Sequence, residues 1–346
     1  MSFKRTKIVA TVGPASEGSE VVEELIINGA TIFRFNLKHN TWQWHQQAIK
    51  NVRNTAKKLD VSVGVMIDLP RSDYFIGDIK DFDIIALSYV KEAGEIIKLK
   101  KAHETLVIAK IENRRALENL DKIITTADGV MVARGDLGEA ISFKELAYYQ
   151  KIIIDRCRKQ LKPVIVATEM LLSMVVNSTP TRTEATDVAN AVYDGTDAVM
   201  LSQETAIGNH PGLCVKTMTE IVGFADKTAI TNKITPEFDI LNDELFVAVA
   251  EIVNKSKEQI KGIVVTTKSG RSGFKMASFR VGVPIIAVSD NQRVLNGLNL
   301  GYGVIPVENK QFKQDRTFKK GDNIILIHGQ NWLEVGSTNT ISMVTV

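Results

Sequence analysis

The sequence predicts an α/β protein in which a closed (β/α)8 barrel is followed by a smaller open α/β sheet. Eight short runs rich in Val, Ile and Ala recur through the first two thirds of the chain. Such continuously apolar runs are typical of parallel strands that are covered on both faces. Amphipathic stretches with apolar residues three and four positions apart lie between most of the runs, which indicates helices. Because strand and helix alternate eight times, we expect a closed TIM barrel.

The predicted elements of the barrel follow directly from these two patterns. The strands are residues 7–12, 30–36, 62–68, 83–88, 105–111, 128–133, 163–168 and 197–202. The helices between them include residues 17–28, 41–58, 114–126, 144–160 and 184–194. One connection is unusually short, because only residues 70–81 separate the third strand from the fourth.

The pattern changes after the eighth predicted strand. A helix over 211–228, a polar stretch over 231–236 and a helix over 242–258 come first. Predicted strands then follow at 262–267, 284–288, 303–307, 323–327 and 341–346, with helices around 270–280 and 291–300. We therefore expect a barrel domain over 1–230 and a C-terminal α/β domain over 240–346, with the boundary near 230–240.

Composition and charge exclude several kinds of partner. The chain has 43 Lys and Arg residues against 40 Asp and Glu residues, without a dense basic stripe, so we expect no nucleic-acid partner. No apolar run is long enough to span a membrane, so no membrane partner is expected. The two cysteines, Cys157 and Cys214, stand far apart in predicted helices. Two such thiols indicate a reduced, cytoplasmic protein.

Polar residues end most of the predicted barrel strands. They are Arg34, Asn36, Asp68, Ser88, Lys110, Glu112, Arg134, Gly135, Asp136, Thr168, Ser202 and Glu204. Any one of them alone is more typical of a helix cap or a loop, but the reacting groups of a (β/α)8 barrel lie at this end of the strands. Arg34 could alternatively pair with a neighbouring carboxylate as scaffolding. For Ser202 and Glu204 we expect structural hydrogen bonds.

The types of these residues suggest phosphoryl-transfer chemistry. Glu112 and Asp136 are hard oxygen ligands suited to Mg2+ or Mn2+, which keeps waters and takes its remaining ligands from substrate. Lys110 stands two residues before Glu112 and points to the same side of an extended segment, so it could reach substrate oxygens beside the metal. Gly135 allows close backbone approach to a carboxylate, and Thr168 could donate its hydroxyl to the same group.

Taken together, the segments of the chain resemble the pyruvate kinase family. The motifs that carry the resemblance include Ala-Lys-Ile-Glu-Asn at 109–113 and Met-Val-Ala-Arg-Gly-Asp-Leu-Gly at 131–138. The other similar segments are 6–16, 33–36, 86–90, 162–170, 180–184, 187–206, 267–272 and 284–288. The similarity covers nearly the whole chain.

The resemblance implies transfer of a phosphoryl group from phosphoenolpyruvate to ADP, giving pyruvate and ATP, in a cytoplasmic homotetramer. It assigns the phosphate to Arg34 and Lys110 and the divalent metal to Glu112 and Asp136. The implied catalytic residues are Lys110, Arg34 and Thr168. The resemblance places the substrate carboxylate on the amides near Gly135 and Asp136 and on Thr168. Asn36 and Asp68 match two ligands of the monovalent-cation site of the family.

Three departures from the family pattern change these expectations. The small lid domain that the family inserts after the third barrel strand is absent near 70–81. The family motif after Asp68 is also missing, and Arg71 could replace the charge of its arginine. Lys38 and Leu69 stand where the family has Ser and Thr at the monovalent-cation site. The Lys38 ammonium could supply the charge of K+, so we expect potassium-independent activity.

Two further hypotheses follow from the resemblance. A loop of the C-terminal domain matches the effector-binding loop of relatives, which makes Thr267, Lys268, Ser269 and Ser272 candidate effector contacts, although an ordinary strand-to-helix turn has the same pattern.

Loss of the lid leaves two alternatives to the kinase reaction. One is a non-catalytic sensor that binds phosphoenolpyruvate. The other is a metal-enolate enzyme that uses no nucleotide, of the decarboxylase or aldolase type.

Overall fold

The computed structural model describes residues 5–74, 76–77, 79–229, 240–256, 259–312, 317–329 and 338–346. Eight strands form a closed barrel in the order of the sequence, and all neighbouring pairs are parallel, including the pair that joins the first strand to the eighth. The strands are β1 (Lys7–Thr11), β2 (Ile32–Asn36), β3 (Gly64–Leu69), β4 (Ile84–Leu87), β5 (Leu106–Ile111), β6 (Gly129–Ala133), β7 (Val164–Ala167) and β8 (Ala198–Leu201). The predicted (β/α)8 barrel is confirmed.

Helices surround this barrel. They are α1 (Ser19–Asn28), α2 (Trp42–Lys58), α3 (Ala93–Ala102), α4 (Arg114–Glu118), α5 (Leu120–Thr126), α6 (Arg134–Ala140), α7 (Phe143–Lys159), α8 (Arg182–Asp194), α9 (Gln203–Ala206) and α10 (Pro211–Thr228). The single helix predicted over 114–126 was wrong, because the chain breaks into α4 and α5 at Asn119. Sequence analysis missed α3, which buries only Ile96 and Leu99 and therefore shows little apolar periodicity.

The connection between β3 and β4 contains no lid domain. The described residues between Leu69 and Ile84 form neither a helix nor a strand. Tyr74 in this connection donates a hydrogen bond to the carbonyl oxygen of Leu37, 3.0 Å away, so the chain lies along the barrel rim. The short connection therefore leaves the C-terminal end of the barrel without a covering domain.

A second sheet follows the barrel. Its five strands are β9 (Ile260–Thr266), β10 (Ile285–Ser289), β11 (Val304–Glu308), β12 (Asn323–His328) and β13 (Thr340–Thr345), in the spatial order β11-β10-β9-β12-β13. Its helices are α11 (Ile240–Ser256), α12 (Arg271–Ser278), α13 (Gln292–Leu298) and α14 (Asn309–Phe312). Only β13 runs antiparallel, so this is a mixed α/β sheet. The domain boundary predicted near 230–240 falls on residues 230–239, which lie outside the described residues.

The C-terminal domain packs against the N-terminal ends of the barrel strands. Lys7, at the start of β1, donates to the carbonyl oxygen of Val304, 2.6 Å away. Before β8, Asp197 forms a buried ion pair with Arg280 at 2.8 Å, and the Arg280 guanidinium stacks 4.2 Å from the Tyr302 ring centre. The apolar side chains inside the barrel form one continuous core with this domain. The opposite end of the barrel is therefore the end open to ligands.

None of the described helices is both long enough and apolar enough to cross a membrane.

Candidate functional site

Side chains inside the barrel change from apolar to polar along five of its strands, β1 to β5. Alternate residues of a strand share one face, and Ile32, Met66 and Ile108 belong to the interior core. Two positions further along the same strands come Arg34, Asp68 and Lys110. These three polar groups therefore face the interior just above its apolar part. The same alternation places Thr11 above Val9 and Ser88 above Ala86. We call these five polar residues, with Glu112, Asp136 and Thr168, the barrel mouth.

Asp68 is the centre of the barrel mouth. Its carboxylate, which is only 1% exposed, accepts from Nε of Arg34 at 2.8 Å and lies 2.6 Å from Nη2 of the same guanidinium. Lys110 Nζ lies 3.2 and 3.1 Å from its two oxygens. Ser88 donates its hydroxyl to Oδ1 at 3.0 Å, and Thr11 accepts from Nη1 of Arg34, also at 3.0 Å. One carboxylate therefore positions both of the cations predicted to hold a phosphate.

Lys110 joins Asp68 to Glu112. Its Nζ also lies 2.8 Å from Oε1 of Glu112, which is buried. The second oxygen, Oε2, accepts from the backbone N–H of Tyr89. The structure therefore brings Arg34, Asp68, Lys110 and Glu112 together in one buried cluster of two positive and two negative charges.

Burial affects the two carboxyl groups differently. Burial opposes ionisation of Asp68, but the charges of Arg34 and Lys110 outweigh it and lower the pKa of Asp68 below its usual value. Burial also raises the pKa of Glu112 above its usual value, and Lys110 offsets this effect only in part. Further positive charge would therefore favour ionisation of Glu112, whereas Asp68 is already stabilised in its ionised form.

Glu112 and Asp136 are suited to a divalent metal. Tyr89 contacts both, since its N–H donates to Glu112 and its Oη donates to Oδ1 of Asp136 at 2.8 Å. The hydrogen bond to Asp136 raises the pKa of Tyr89 to about 12, so its hydroxyl stays protonated. Burial of Glu112 is offset only in part by Lys110, so a hard cation bound to this carboxylate would favour its ionised form. Within the described part of the chain, no group of three or more His, Cys, Asp or Glu is placed to hold a metal.

The segment predicted to hold the substrate carboxylate is strained. Thr168 and Glu169 have φ values of 71° and 54°, in the left-handed region that β-branched residues avoid. Arg134 holds this turn, because its Nη2 donates to the carbonyl oxygens of Thr168 and Glu169 at 2.8 and 3.3 Å. Asp187 anchors Arg134 by an ion pair of 2.6 Å. Backbone strain of this kind is typical of functional sites.

Gly135 and Thr168 are joined by a hydrogen bond. The N–H of Gly135 donates to Oγ1 of Thr168 at 2.7 Å, and this hydroxyl donates to the carbonyl oxygen of Ala167 at 2.6 Å. A substrate carboxylate could take both donors only by replacing these two contacts. The structure thus places the two predicted groups side by side, in a closed hydrogen-bonded arrangement.

The Lys38 ammonium does not lie with Asn36 and Asp68, although the sequence analysis assigned all three residues to one monovalent-cation site. Its Nζ stands 4.8 Å from the centre of the Tyr89 ring, and its side chain is exposed. Its backbone N–H donates to Oδ1 of Asn36 at 3.2 Å. Among the described residues, its ammonium makes no hydrogen bond or ion pair with Asn36 or Asp68. The charge near Asp68 comes instead from Arg34 and Lys110.

Other polar residues considered in the sequence analysis lie outside the barrel mouth. Arg71, considered as a substitute cation, pairs with Asp73 at 3.0 Å on the exposed connection. Glu204 accepts from the backbone N–H groups of Leu171 and Ser202 at 3.0 and 2.7 Å, so its hydrogen bonds are structural. The Ser202 hydroxyl is buried without a hydrogen-bond partner among the described residues, so the hydrogen bond expected for that side chain is not formed.

The predicted effector loop follows β9. Thr267 is buried, and its Oγ1 accepts from the N–H of Gly270 at 2.9 Å. Ser272 shares a hydrogen bond of 2.9 Å with Thr338, whereas Lys268 and Ser269 are exposed. Two of the four candidate contacts are thus engaged within the domain, and two face outward.

Sequence reasoning gave no role to Tyr89, Thr11 or Arg134, which position the other groups. Tyr89 directly follows Ser88 and Thr11 ends β1, so the position at a strand end was the available signal. Arg134 lies in the same motif as Asp136. Its part in holding the turn at Thr168 depends on a contact between two strands, which spacing along the chain does not reveal.

Two substitutions test the different states of the two buried carboxylates. Asp68→Asn should destabilise the metal-free protein by about 3–5 kcal/mol, because Arg34 and Lys110 lose their shared counter-charge. The stabilisation from Asp68 is present above its unfolded pKa of about 4 and is lost as the pH falls through its lower folded pKa. Glu112→Gln should leave stability unchanged or raise it, because the raised pKa means that ionised Glu112 is disfavoured in the folded state.

Denaturant unfolding at pH 7 without metal measures both effects. Asp290→Asn, at an exposed carboxyl group, is the matched control and should change the midpoint little. Equal stability of Asp68→Asn and the parent protein, or a greater loss in Glu112→Gln than in Asp68→Asn, would contradict this assignment of charges.

Comparisons with known proteins agree with this geometry. The sequence signature described as "Pyruvate kinase, barrel domain" matches residues 3–81 and 70–215, and that described as "Pyruvate kinase, alpha/beta domain" matches residues 243–344. The pyruvate kinase of Thermotoga maritima is 28% identical over 99% of this chain and 100% of its own length. Those of Geobacillus stearothermophilus and Thermococcus litoralis are 29% identical over 98% and 94% of this chain and 80% and 92% of their own lengths.

The same comparisons locate the difference between this chain and its relatives. The alignment with the Thermotoga maritima enzyme runs over 469 positions, whereas this chain has 346 residues. The match to the barrel signature breaks at residues 70–81, where β3 and β4 are joined by the short connection. The chain is therefore a phosphotransferase that belongs to the pyruvate kinase family, in a form without the lid domain.

Proposed function

We propose that this protein transfers the phosphoryl group of phosphoenolpyruvate to ADP at the barrel mouth and releases pyruvate and ATP. The observation that carries the proposal is the position of Lys110, whose ammonium lies within 3.2 Å of Asp68 and 2.8 Å of Glu112. The Lys110 ammonium is thus beside Glu112, the proposed metal ligand, and it shares the Asp68 carboxylate with Arg34. Membership of the pyruvate kinase family supports the same reaction.

Arg34 and Lys110 are the proposed phosphate-binding residues. Both are buried and held by Asp68, so little side-chain freedom is lost when they bind a dianion. As the phosphoryl group leaves, negative charge develops on the enolate oxygen of the product. Lys110 can stabilise this charge without being the proton donor, because a fixed ammonium in a buried site acts electrostatically.

Glu112 and Asp136 are the proposed ligands of Mg2+ or Mn2+. The metal would supply positive charge to the substrate oxygens and lower the barrier to transfer. Tyr89 orients both carboxylates, since it donates to one through its N–H and to the other through its hydroxyl. The dependence on a divalent metal is part of this proposal.

The substrate carboxylate is proposed to bind the amides of Gly135 and Asp136 and the hydroxyl of Thr168. In the absence of substrate, the Gly135 N–H and the Thr168 hydroxyl are occupied by each other and by Ala167. Binding must therefore exchange two internal hydrogen bonds for two to the substrate. The strained turn at Thr168, held by Arg134, keeps the hydroxyl beside the amide for this exchange.

We also propose that the chain assembles as a homotetramer in the cytoplasm. Phe143 of α7 and Phe224 of α10 are 88% and 69% exposed, and Val176, which precedes α8, is 67% exposed. On β13, a strand at the edge of its sheet, Met343 is 61% exposed. Large exposed apolar side chains on both domains support their burial in contacts between subunits. Effector binding through Thr267, Lys268, Ser269 and Ser272 stays a prediction of the family resemblance.

Replacement of Lys110 tests the proposed catalysis. Lys110→Met should lower kcat by about 100- to 1000-fold, because it removes a preorganised charge from the reacting oxygens. Lys101→Met, at an exposed lysine of α3, is the matched control and should keep full activity. Phosphoenolpyruvate, ADP and Mg2+ are supplied, and pyruvate and ATP are measured in the same sample. Retained turnover in Lys110→Met would remove Lys110 from the mechanism.

The ratio of the two products tests the effect of the missing lid. A lid excludes water and positions the nucleotide, so a lidless site should form some pyruvate without ATP. We therefore expect the parent protein to form more pyruvate than ATP, and we expect the excess to vanish in Lys110→Met. Pyruvate with no ATP at any ADP concentration would contradict the kinase reaction and favour a metal-enolate enzyme. Absence of both products would favour a phosphoenolpyruvate-binding sensor.

The activity is expected not to require potassium. Asp68 already receives donors from Arg34, Lys110 and Ser88, and Leu69 offers no side-chain oxygen for a cation. The rate measured in tetramethylammonium buffer free of sodium and potassium should not rise when KCl replaces tetramethylammonium chloride at constant ionic strength. Lys38→Gln should also stay independent of K+, because Arg34 and Lys110 supply the charge beside Asp68. A K+ requirement that appears only in Lys38→Gln would show that the Lys38 charge replaces K+. A strict potassium requirement in the parent protein would refute the proposal.

A further inference from the structure

The short connection between β3 and β4 carries an aromatic ring and a cation at the edge of the barrel mouth. Tyr74 is half-buried, and the guanidinium carbon of Arg71 lies 5.9 Å from the centre of its ring. Arg71 follows Asp68 by three residues, which span at most about 11 Å, so this pair lies beside the barrel mouth. Neither residue has a part in the proposed binding of phosphoenolpyruvate.

Three contacts hold the Tyr74 ring in place. Its hydroxyl donates to the carbonyl oxygen of Leu37 at 3.0 Å, and its backbone N–H donates to that of Arg71 at 3.2 Å. The ring of Trp42, at the start of α2, lies 5.8 Å from the Tyr74 ring between centres, with the two planes tilted by 43°. Because the ring is already fixed, little freedom is lost when a flat ligand stacks on it.

Lys38 brings an unmatched positive charge to the same edge. It directly follows Leu37, whose carbonyl oxygen accepts from Tyr74. Its ammonium lies 4.8 Å from the centre of the Tyr89 ring, and the Tyr89 hydroxyl donates to Asp136, a proposed metal ligand. Among the described residues, this ammonium has neither a hydrogen bond nor an ion pair. Lys38 therefore joins the barrel mouth to the segment that holds Tyr74.

We call Lys38, Arg71 and Tyr74 the rim cluster. Arg71 pairs with Asp73 at 3.0 Å, but the two side chains are 71% and 63% exposed, and exposed ion pairs contribute little. The rim cluster therefore offers two cations against one carboxylate, next to a fixed aromatic ring. Cations for the phosphates and a ring for the base are the features by which proteins bind single-stranded nucleic acid without reading its sequence. The same chemistry suits a single nucleotide.

We propose that the rim cluster binds the nucleoside diphosphate, with the base stacked on Tyr74 and the phosphates beside Lys38. This inference rests on the proposed function, because it concerns the second substrate of that reaction. Arg71, which lies on the Tyr74 ring, adds a second positive charge. The terminal phosphate of the nucleotide then faces the barrel mouth, where the phosphoryl group is to be received.

The rim cluster predicts weak selectivity among bases. Stacking recognises the flat face of a base, which every base has, and not the pattern of donors and acceptors along its edge. ADP, GDP and UDP should therefore all bind, and the two purine nucleotides should bind more tightly because their bases have larger faces.

Calorimetric titration with ADP and with inorganic pyrophosphate, in Mg2+ buffer without phosphoenolpyruvate, tests the proposal. Pyrophosphate carries the two phosphates but has no base. Tyr74→Leu should weaken ADP binding about tenfold, as expected for the loss of one stacked base, and should leave pyrophosphate binding unchanged. Lys38→Gln should weaken the binding of both ligands about tenfold, because both carry phosphates. Tyr74→Phe keeps the ring and should bind ADP as the parent protein does.

Two matched controls accompany these variants. Tyr148→Leu replaces a tyrosine of α7 that is 62% exposed, and Lys101→Gln replaces an exposed lysine of α3. Both should bind ADP and pyrophosphate as the parent protein does. Equal ADP affinity of Tyr74→Leu and the parent protein would overturn the proposal. So would an absence of ADP binding to the parent protein, or an equal loss of ADP and pyrophosphate binding in Tyr74→Leu.

Turnover separates this inference from the proposed function. If ATP forms, Tyr74→Leu should raise KM for ADP about tenfold and keep kcat, because stacking holds the base and does not touch the reacting atoms. ADP binding that depends on Tyr74 in a protein that forms no ATP would support the rim cluster and contradict the kinase reaction. ATP formation with a KM for ADP that does not change in Tyr74→Leu would leave the kinase reaction intact and overturn the rim cluster.

Discussion

A single buried carboxylate shared by two cations is the interaction on which the barrel mouth depends. Asp68 lies between Arg34 and Lys110 and also accepts from Ser88. A buried ion cluster contributes little net stability, but removal of one member leaves the others uncompensated. Asp68 therefore fixes the two cations in place, and Lys110 in turn reaches Glu112. The proposed site owes its geometry to this chain of contacts.

The fold places polar groups at both ends of the same strands. The strands β4, β5, β6 and β7 begin within two residues of Asp83, Thr105, Asp128 and Lys162. They end within three residues of the barrel mouth, and each strand has only four to six residues. The C-terminal domain closes the lower end of the barrel, and the absence of a lid leaves the upper end open.

The sequence was sufficient to predict the barrel and most of its polar rim. Strands covered on both faces are continuously apolar, and the alternation of side chains along Ile32 to Arg34 and Ile108 to Lys110 puts the polar groups inside the barrel. The family resemblance predicted the same residues. Short helices such as α3 and α6 were missed because they bury few side chains and so leave little apolar periodicity.

Contacts between distant segments could not be predicted from spacing. The role of Tyr89 depends on two hydrogen bonds to residues of other strands, and that of Arg134 depends on the strained turn at Thr168. Lys38 was expected near Asn36 and Asp68, yet its ammonium lies on the Tyr89 ring. A one-dimensional pattern gives the order of strand ends around a barrel, but it does not give the direction of an exposed side chain.

The central claim is that Glu112 and Asp136 hold one divalent ion beside Lys110. Electron paramagnetic resonance of Mn2+ tests it most directly, since free and bound ions are counted without any turnover. We predict one bound Mn2+ per chain, with tighter binding when oxalate, a dianion that resembles the enolate of pyruvate, is present. Binding should weaken by at least about tenfold in both Glu112→Gln and Asp136→Asn. Unchanged Mn2+ binding in Glu112→Gln would contradict the account.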